Sequence, residues 1–210
     1  MQPERKRRRY SSPDRVERAH ATAREILRAA EGLFAAQGYA AVTMREIASA
    51  AGVAPATVYL HYAGKGAIVR ALANAITGAS DLSVERVEGA DSVDGQLRTA
   101  VAILRQLNER AWVVAGILRT HSAGDPELIA LALEWQQRHL DAVTRGVAAI
   151  AKVGRLRRGV SPEQAADILF AVAGTDVYRA LVRERGWSGD QYAAWLMEFI
   201  EDHLLGDPAN

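Results

Sequence analysis

The sequence predicts an all-α fold of about nine helices, and three observations lead to this prediction. Almost every segment repeats its apolar residues with the 3.6-residue period of a helix. No segment alternates apolar and polar residues as a strand does, and no Asn-Gly hairpin signal occurs. Helix-start signatures, in which Ser or Thr is followed three residues later by Glu or Gln, occur at Thr43, Ser161 and Ser188.

The N-terminal elements follow from this period and from the residues that interrupt it. Residues 1–15 are expected to form a basic disordered arm, and a first helix runs from about Val16 to Gln37. Thr43 begins a short second helix that stops at Gly52, and Pro55 suits the first turn of a third. Two short helices about a Gly-containing turn predict a helix-turn-helix within residues 16–64.

The remaining residues, 65–210, predict a larger helical domain. Its first helix extends from about Lys65 to Thr77, and polar or Gly-rich breaks follow at 89–95, 121–126, 154–161 and 185–189. The segment after Asp125 has two apolar stripes, so it is either buried all round or lines a cavity. The stripe predicted to be core contains Ile129, Leu133, Leu140, Val143, Val147 and Ile150, and the second contains Leu128, Leu131, Trp135, His139 and Ala142.

Composition and charge limit the kind of site. The absence of cysteine excludes disulfides, thiolate metal sites and cysteine nucleophiles. Because there is no signal-peptide core and no run of about 18 apolar residues, we expect a cytoplasmic chain with no membrane partner. Residues 1–65 carry a net charge of +5 and residues 66–210 a net charge of −4. This asymmetry favours a polyanion partner, the alternative being a solvated basic tail.

A resemblance to a known family emerges from residues 22–72. The run from Ile26 to Tyr39 reads IL-x-AA-x-x-LF-x-x-x-GY, and it is followed by Thr43, Ile47-Ala48, Ala51-Gly52-Val53 and Thr57-x-Tyr59-x-His61-Tyr62-x-x-Lys65. This pattern resembles the TetR family of bacterial transcriptional regulators. The resemblance implies a three-helix DNA-binding domain on a helical ligand-binding and dimerisation domain. It also implies a homodimeric repressor that leaves a palindromic double-stranded operator when a small-molecule effector binds, with no cofactor.

The family's pattern implies that the DNA backbone is contacted by Thr43, Thr57, Tyr59, His61 and Lys65. Their hydroxyl, imidazole and ammonium groups are suitable phosphate donors. Thymine methyl groups would be read by Pro55, Ala56 and the Thr57 methyl, and a base hydrogen bond is assigned to Arg45. Packing of the tyrosines in the core and pairing of Arg45 with a Glu are the alternatives. The arm Arg5–Arg9 either enters a minor groove or is a disordered tail.

The larger domain is predicted to provide a pocket and a dimer interface. The pocket residues are expected to be Trp112, His121, Leu131, Trp135, His139 and Tyr178, around a mostly apolar effector; ordinary packing is the alternative for any one of them. The final helix is more apolar than a terminal helix of one domain requires, which favours a partner copy. The interface residues are expected to be Tyr192, Trp195, Leu196, Phe199 and Ile200.

Two rival functions stay open at the level of sequence. One is an architectural or activator DNA-binding protein without an effector. The other is an all-helical enzyme, but the five histidines show no close metal spacing, and no G-x-S-x-G, P-loop or G-x-G-x-x-G motif occurs. The prediction is therefore that the chain is not an enzyme.

Overall fold

The computed structural model describes residues 13–88, 92–122, 125–152 and 156–206, so the predicted basic arm Arg5–Arg9 lies outside the described residues. The fold is all-α, as predicted. The helices are α1 (Pro13–Gln37), α2 (Met44–Ala50), α3 (Pro55–His61), α4 (Lys65–Glu88), α5 (Val93–His121), α6 (Pro126–Lys152), α7 (Pro162–Val172), α8 (Thr175–Tyr178) and α9 (Gly189–His203). A π-helical segment, Arg179–Glu184, follows α8 directly.

The chain divides into two compact units between Ile68 and Val69, inside α4. In the smaller unit α1 packs on α2, and α2 packs on α3. Gly38 and Gly52 adopt positive φ angles of 81° and 68°, which a glycine tolerates best, and they end α1 and α2. The buried apolar side chains of this unit include Ile26, Ala30, Phe34, Val42, Ile47, Ala48 and Val58.

The larger unit has one apolar core to which α5, α6, α7, α8 and α9 contribute. A buried amide lies inside it: Asn108 Nδ2 on α5 donates to the Ala173 carbonyl at 2.9 Å and to the Tyr192 hydroxyl at 3.1 Å. Ala173 lies where α7 ends and α8 begins. Asn108 therefore supplies a hydrogen bond to a helix-end carbonyl that is buried away from water.

The predicted core stripe of α6 is wrong in part. Val143 and Val147 are buried, but Ile129 and Leu133 are 44% and 63% exposed. At this end of α6 the buried residues are Leu128 and Leu131, which the sequence places on the second stripe. The buried residues of α6 thus come from both predicted stripes, and the buried face shifts along the 27 residues of the helix.

Helix α4 is longer than the sequence predicts, since it continues past Thr77 and Gly78 to Glu88. A glycine inside a helix costs roughly 1 kcal/mol relative to alanine, which packing of the same helix can offset. Leu72, Ala73 and Ile76 are buried just before it. None of the helices in the described part of the chain has the length and apolarity needed to cross a bilayer.

Candidate nucleic-acid interface

Thr43 and Glu46 form the predicted capping box at the start of α2. The Thr43 hydroxyl accepts from the Glu46 backbone N–H at 3.2 Å, and the Glu46 carboxylate accepts from the Thr43 backbone N–H at 2.7 Å. The same carboxylate also accepts from the Thr43 hydroxyl at 2.8 Å, and these bonds lower the pKa of Glu46. The Thr43 hydroxyl proton is thus directed at Glu46, so donation to a phosphate requires it to rotate.

The short helix α3 presents most of the predicted base-reading residues to solvent. Val58 is the one buried residue of α3, and it anchors the helix to the smaller unit. Pro55 and Ala56 are exposed, Thr57 is half-buried, and Tyr59 is 57% exposed. Arg45 is exposed on α2. As the sequence indicates, the N-cap Ala54 makes no side-chain hydrogen bond to the helix.

Lys65 has a contact that the sequence analysis missed. Its ammonium donates to the Tyr39 carbonyl at 2.7 Å and to the Ala40 carbonyl at 3.3 Å, and it lies 4.5 Å from the centroid of the Tyr39 ring. The first residue of α4 thereby holds the turn between α1 and α2. Partial burial lowers the pKa of Lys65, and the negative charge of Glu46 acts in the opposite direction. The only sequence signal for this contact is the Gly38-Tyr39 pair, which leaves carbonyls unpaired after α1.

The other aromatic residues of this region divide between surface and core. Tyr62 is half-buried, its hydroxyl donates to the Ala23 carbonyl at 3.5 Å, and burial raises its pKa. This placement favours packing over DNA contact for Tyr62. His61 is half-buried beside it, with ring centroids 6.2 Å apart. Tyr59, by contrast, has its ring free of the core, as a residue that contacts a ligand requires.

Three of the five predicted dimer residues are in the wrong place for an interface. Tyr192 and Leu196 are completely buried and Ile200 is 2% exposed, because this face of α9 packs on α5 of the same chain. Trp195 and Phe199 are half-buried at the edge of the core. They belong to an aromatic row that starts at Trp187, just before α9, and continues along α9 through Trp195, Phe199 and His203. Successive ring centroids in this row lie 4.6–6.4 Å apart.

The six predicted effector-pocket residues lie on three helices: Trp112 and His121 on α5, Leu131, Trp135 and His139 on α6, and Tyr178 on α8. Tyr178 is buried, with its ring edge-on to Tyr192 at 5.1 Å, and Trp112 lies beneath the Arg183 guanidinium at 4.5 Å. Leu131 is buried on α6 and Trp135 is half-buried one turn later. Near the end of α5, His121 Nδ1 lies 2.6 Å from the Thr120 hydroxyl.

His139 is the most unusual of the six. Its ring packs against Phe170 of α7, with centroids 5.0 Å apart, and its buried Nε2 makes no hydrogen bond of normal geometry. Burial lowers the pKa of His139, and the backbone of Phe170 opposes this shift. A buried polar atom without a partner costs free energy, so a group that hydrogen-bonds to it would stabilise the protein.

Two open clefts of the larger unit contain none of the six predicted residues. One, of about 620 Å³, follows Leu133 to Leu140 on α6. The other, of about 460 Å³, lies between α5 and α9, where Arg105 makes ion pairs with Glu109 and Asp190. Within the described ranges, no group of His, Asp and Glu side chains is arranged to hold a metal ion.

Comparison with known proteins agrees with this architecture. Residues 26–72 match the description of bacterial regulatory proteins of the tetR family. The HTH-type transcriptional regulator TtgR of Pseudomonas putida is 28% identical over 163 residues, which cover 74% of this chain and 78% of TtgR.

Two solved structures share the fold. The complex of SmeT with triclosan superposes with a TM-score of 0.70 at 23% identity, covering 90% of this chain and 93% of SmeT. NalD of Pseudomonas aeruginosa is the secondary repressor of the MexAB-OprM multidrug efflux pump. Its structure superposes with a TM-score of 0.67 at 24% identity, covering 90% of this chain and 99% of NalD. The residues matched to the family include Thr43, Tyr59 and Lys65, and the likeness to the two solved structures extends over both units. Residues 26–72 therefore match the tetR family of bacterial regulatory proteins, and the chain as a whole is similar to the regulator TtgR and shares the fold of SmeT and NalD.

Proposed function

We propose that this protein is a transcriptional repressor that binds a palindromic operator as a homodimer and releases it when a small, mostly apolar effector binds. The observation that carries the proposal is the surface of α2 and α3. Arg45 is exposed on α2, and Pro55, Ala56 and Tyr59 are exposed on α3, which Val58 anchors. Small side chains let the helix approach base edges, and hydroxyl and guanidinium groups suit phosphates and guanine.

Phosphate contacts are expected from the residues that surround this surface. They are Thr43, Thr57, Tyr59, His61 and Lys65, and the region 1–65 has a net charge of +5. Such contacts make the affinity for DNA fall as the salt concentration rises. In a plot of log affinity against log salt concentration, each neutralised phosphate contributes about −0.9 to the slope. One such surface reads only half of a palindrome, so specific binding requires two copies.

A twofold interface is supported by the apolar side chains that α7 and α9 leave uncovered. Trp195 and Phe199 are half-buried on α9, and Ile168 is exposed on α7. Water is in contact with these side chains in a single chain, and a second copy would cover them. The proposed interface therefore retains Trp195 and Phe199 and omits the three core residues of α9.

The effector is proposed to bind in the larger unit beside His139. Its unpartnered Nε2 and the neighbouring Phe170 ring would suit an apolar molecule with one or two polar groups. Binding of triclosan by SmeT supports an effector of this kind. The repressor role of NalD supports an effector that lowers the affinity for DNA. Release requires the effector to favour the state that does not bind DNA, with a coupling free energy of about 1–3 kcal/mol.

Operator selection followed by effector titration tests the proposal. Full-length protein is used to enrich duplexes from a randomised pool, and triclosan and other apolar compounds are screened by thermal shift. The expected result is an enriched palindrome whose affinity falls about 5- to 150-fold with a stabilising compound. A palindrome whose affinity no stabilising compound alters would contradict the effector and favour an architectural protein.

A further inference from the structure

Leu60 is the most exposed large apolar side chain in the described part of the chain. It lies on α3 and is 84% exposed, compared with 57% for its neighbour Tyr59. The core of the smaller unit does not use it, because Val58 alone anchors α3. The family's sequence pattern, which includes Tyr59 and His61, does not include the position between them. Packing among the residues that the structure describes therefore does not account for a leucine there.

The position of Leu60 on α3 indicates what it faces. At about 100° per residue, Leu60 and Ala56 each lie about 160° around the helix from the buried Val58. They are four residues apart, so they stand one above the other on the same side. Ala56 and Leu60 therefore form the outermost ridge of α3. Any duplex that receives α3 in its major groove meets this ridge first.

We propose that Leu60, seated beside Ala56, determines sequence specificity by contacting thymine C5-methyl groups in the major groove. This inference rests on the proposed function. The ridge contains no group that donates or accepts a side-chain hydrogen bond, so it cannot read the polar edges of bases. The thymine methyl is the apolar feature of the major groove, and apolar side chains recognise it. Burial against a methyl group also removes the leucine from water, which is favourable.

Deoxyuridine substitution tests this contact, because it removes the thymine methyl and leaves every hydrogen-bonding group in place. A duplex is first selected from a randomised pool with the full-length protein, and each thymine is then replaced in turn. For the wild type, loss of one contacted methyl is expected to lower affinity about fourfold, the equivalent of one buried methylene. In Leu60→Ala the loss at that position should disappear, and losses at other thymines should remain.

Leu133→Ala is the matched control, because Leu133 is also strongly exposed but lies on α6. It should retain the wild-type response to deoxyuridine at every position. Leu60→Ala should also retain the wild-type melting temperature, since Leu60 makes no core contact. A deoxyuridine profile in Leu60→Ala identical to that of the wild type would overturn the inference while leaving the proposed function intact. Failure of the wild type to enrich any duplex would overturn the proposed function, and the inference with it.

Discussion

Lys65 holds the turn between α1 and α2 through two backbone carbonyls and the Tyr39 ring. The family's pattern implies a phosphate contact for the same residue. The two roles are compatible, because an ammonium has three donors and two of them suffice for the carbonyls. They nevertheless differ in what they do to the protein without DNA: only the structural contact contributes to the stability of the smaller unit.

Replacement of Lys65 by methionine separates the two roles. Loss of the charge-assisted bonds should lower the free energy of unfolding by about 1–2 kcal/mol, measured by urea denaturation without DNA. Tyr59→Phe, which changes an exposed hydroxyl, should leave that free energy unaltered. The structural role of Lys65 would be contradicted if Lys65→Met had the same free energy of unfolding as the wild type. A change confined to operator binding, with the slope of log affinity against log salt smaller by about 0.9, would then show a phosphate contact alone.

His139 should make stability depend on pH. Burial lowers its pKa in the folded state, so as pH falls the unfolded chain takes up the proton first. The free energy of unfolding should therefore have its full value above about pH 6.5, the ordinary pKa of histidine, and decrease below it. Urea denaturation at pH 7.5 and pH 5.5 measures this decrease.

His139→Leu should show a smaller decrease than the wild type between these two pH values. The exposed His20 provides the control, because His20→Gln should retain the wild-type decrease. Equal pH dependence in the wild type and in His139→Leu would show that burial of His139 does not govern it.

At the scale of the elements, helix α3 starts without a side-chain cap. Ala54 has the extended backbone of an N-cap residue, with φ −68° and ψ 147°, but no oxygen to accept from the first turn. Serine fits this conformation, so Ala54→Ser should raise the free energy of unfolding of the smaller unit by about 0.5–2 kcal/mol. Calorimetry on the full chain measures this increase.

The control is the reverse change at a formed cap. Ser161→Ala on α7 should lower the free energy of unfolding by a similar amount. A free energy of unfolding lower in Ala54→Ser than in the wild type would contradict the conclusion that α3 lacks a side-chain cap which serine can supply.

The helix starts could be predicted from the sequence because caps are local. Thr43, Ser161 and Ser188 each make the expected hydrogen bonds with a residue three positions later. The faces that helices bury could not be predicted so well. Whether Leu133 or Leu131 is buried, and whether Leu196 faces a core or a second chain, depends on neighbours distant in sequence. Polar contacts between distant residues, such as that of Lys65 with Tyr39, leave no periodic signal.

At the scale of the whole molecule, the proposed homodimer has a direct test. Sedimentation at micromolar concentration should give twice the 22.7 kDa chain mass. Trp195→Glu and Phe199→Glu place charges on the proposed interface and should shift the protein toward monomer. Ile129→Glu, at an exposed site on α6, should remain dimeric. Wild-type protein that sediments as a monomer would contradict the proposal of a palindromic operator as well as the interface.

The smaller unit is proposed to read a DNA sequence through α2 and α3. The most direct measurement compares the affinity of the full-length protein for a selected palindromic duplex with its affinity for a scrambled duplex of the same composition and length, at one physiological salt concentration. The selected duplex is expected to bind at least about 10³-fold more tightly, as specific complexes do. Equal affinities for the two duplexes would mean that only charge is recognised, and would rule out sequence-specific binding through α2 and α3.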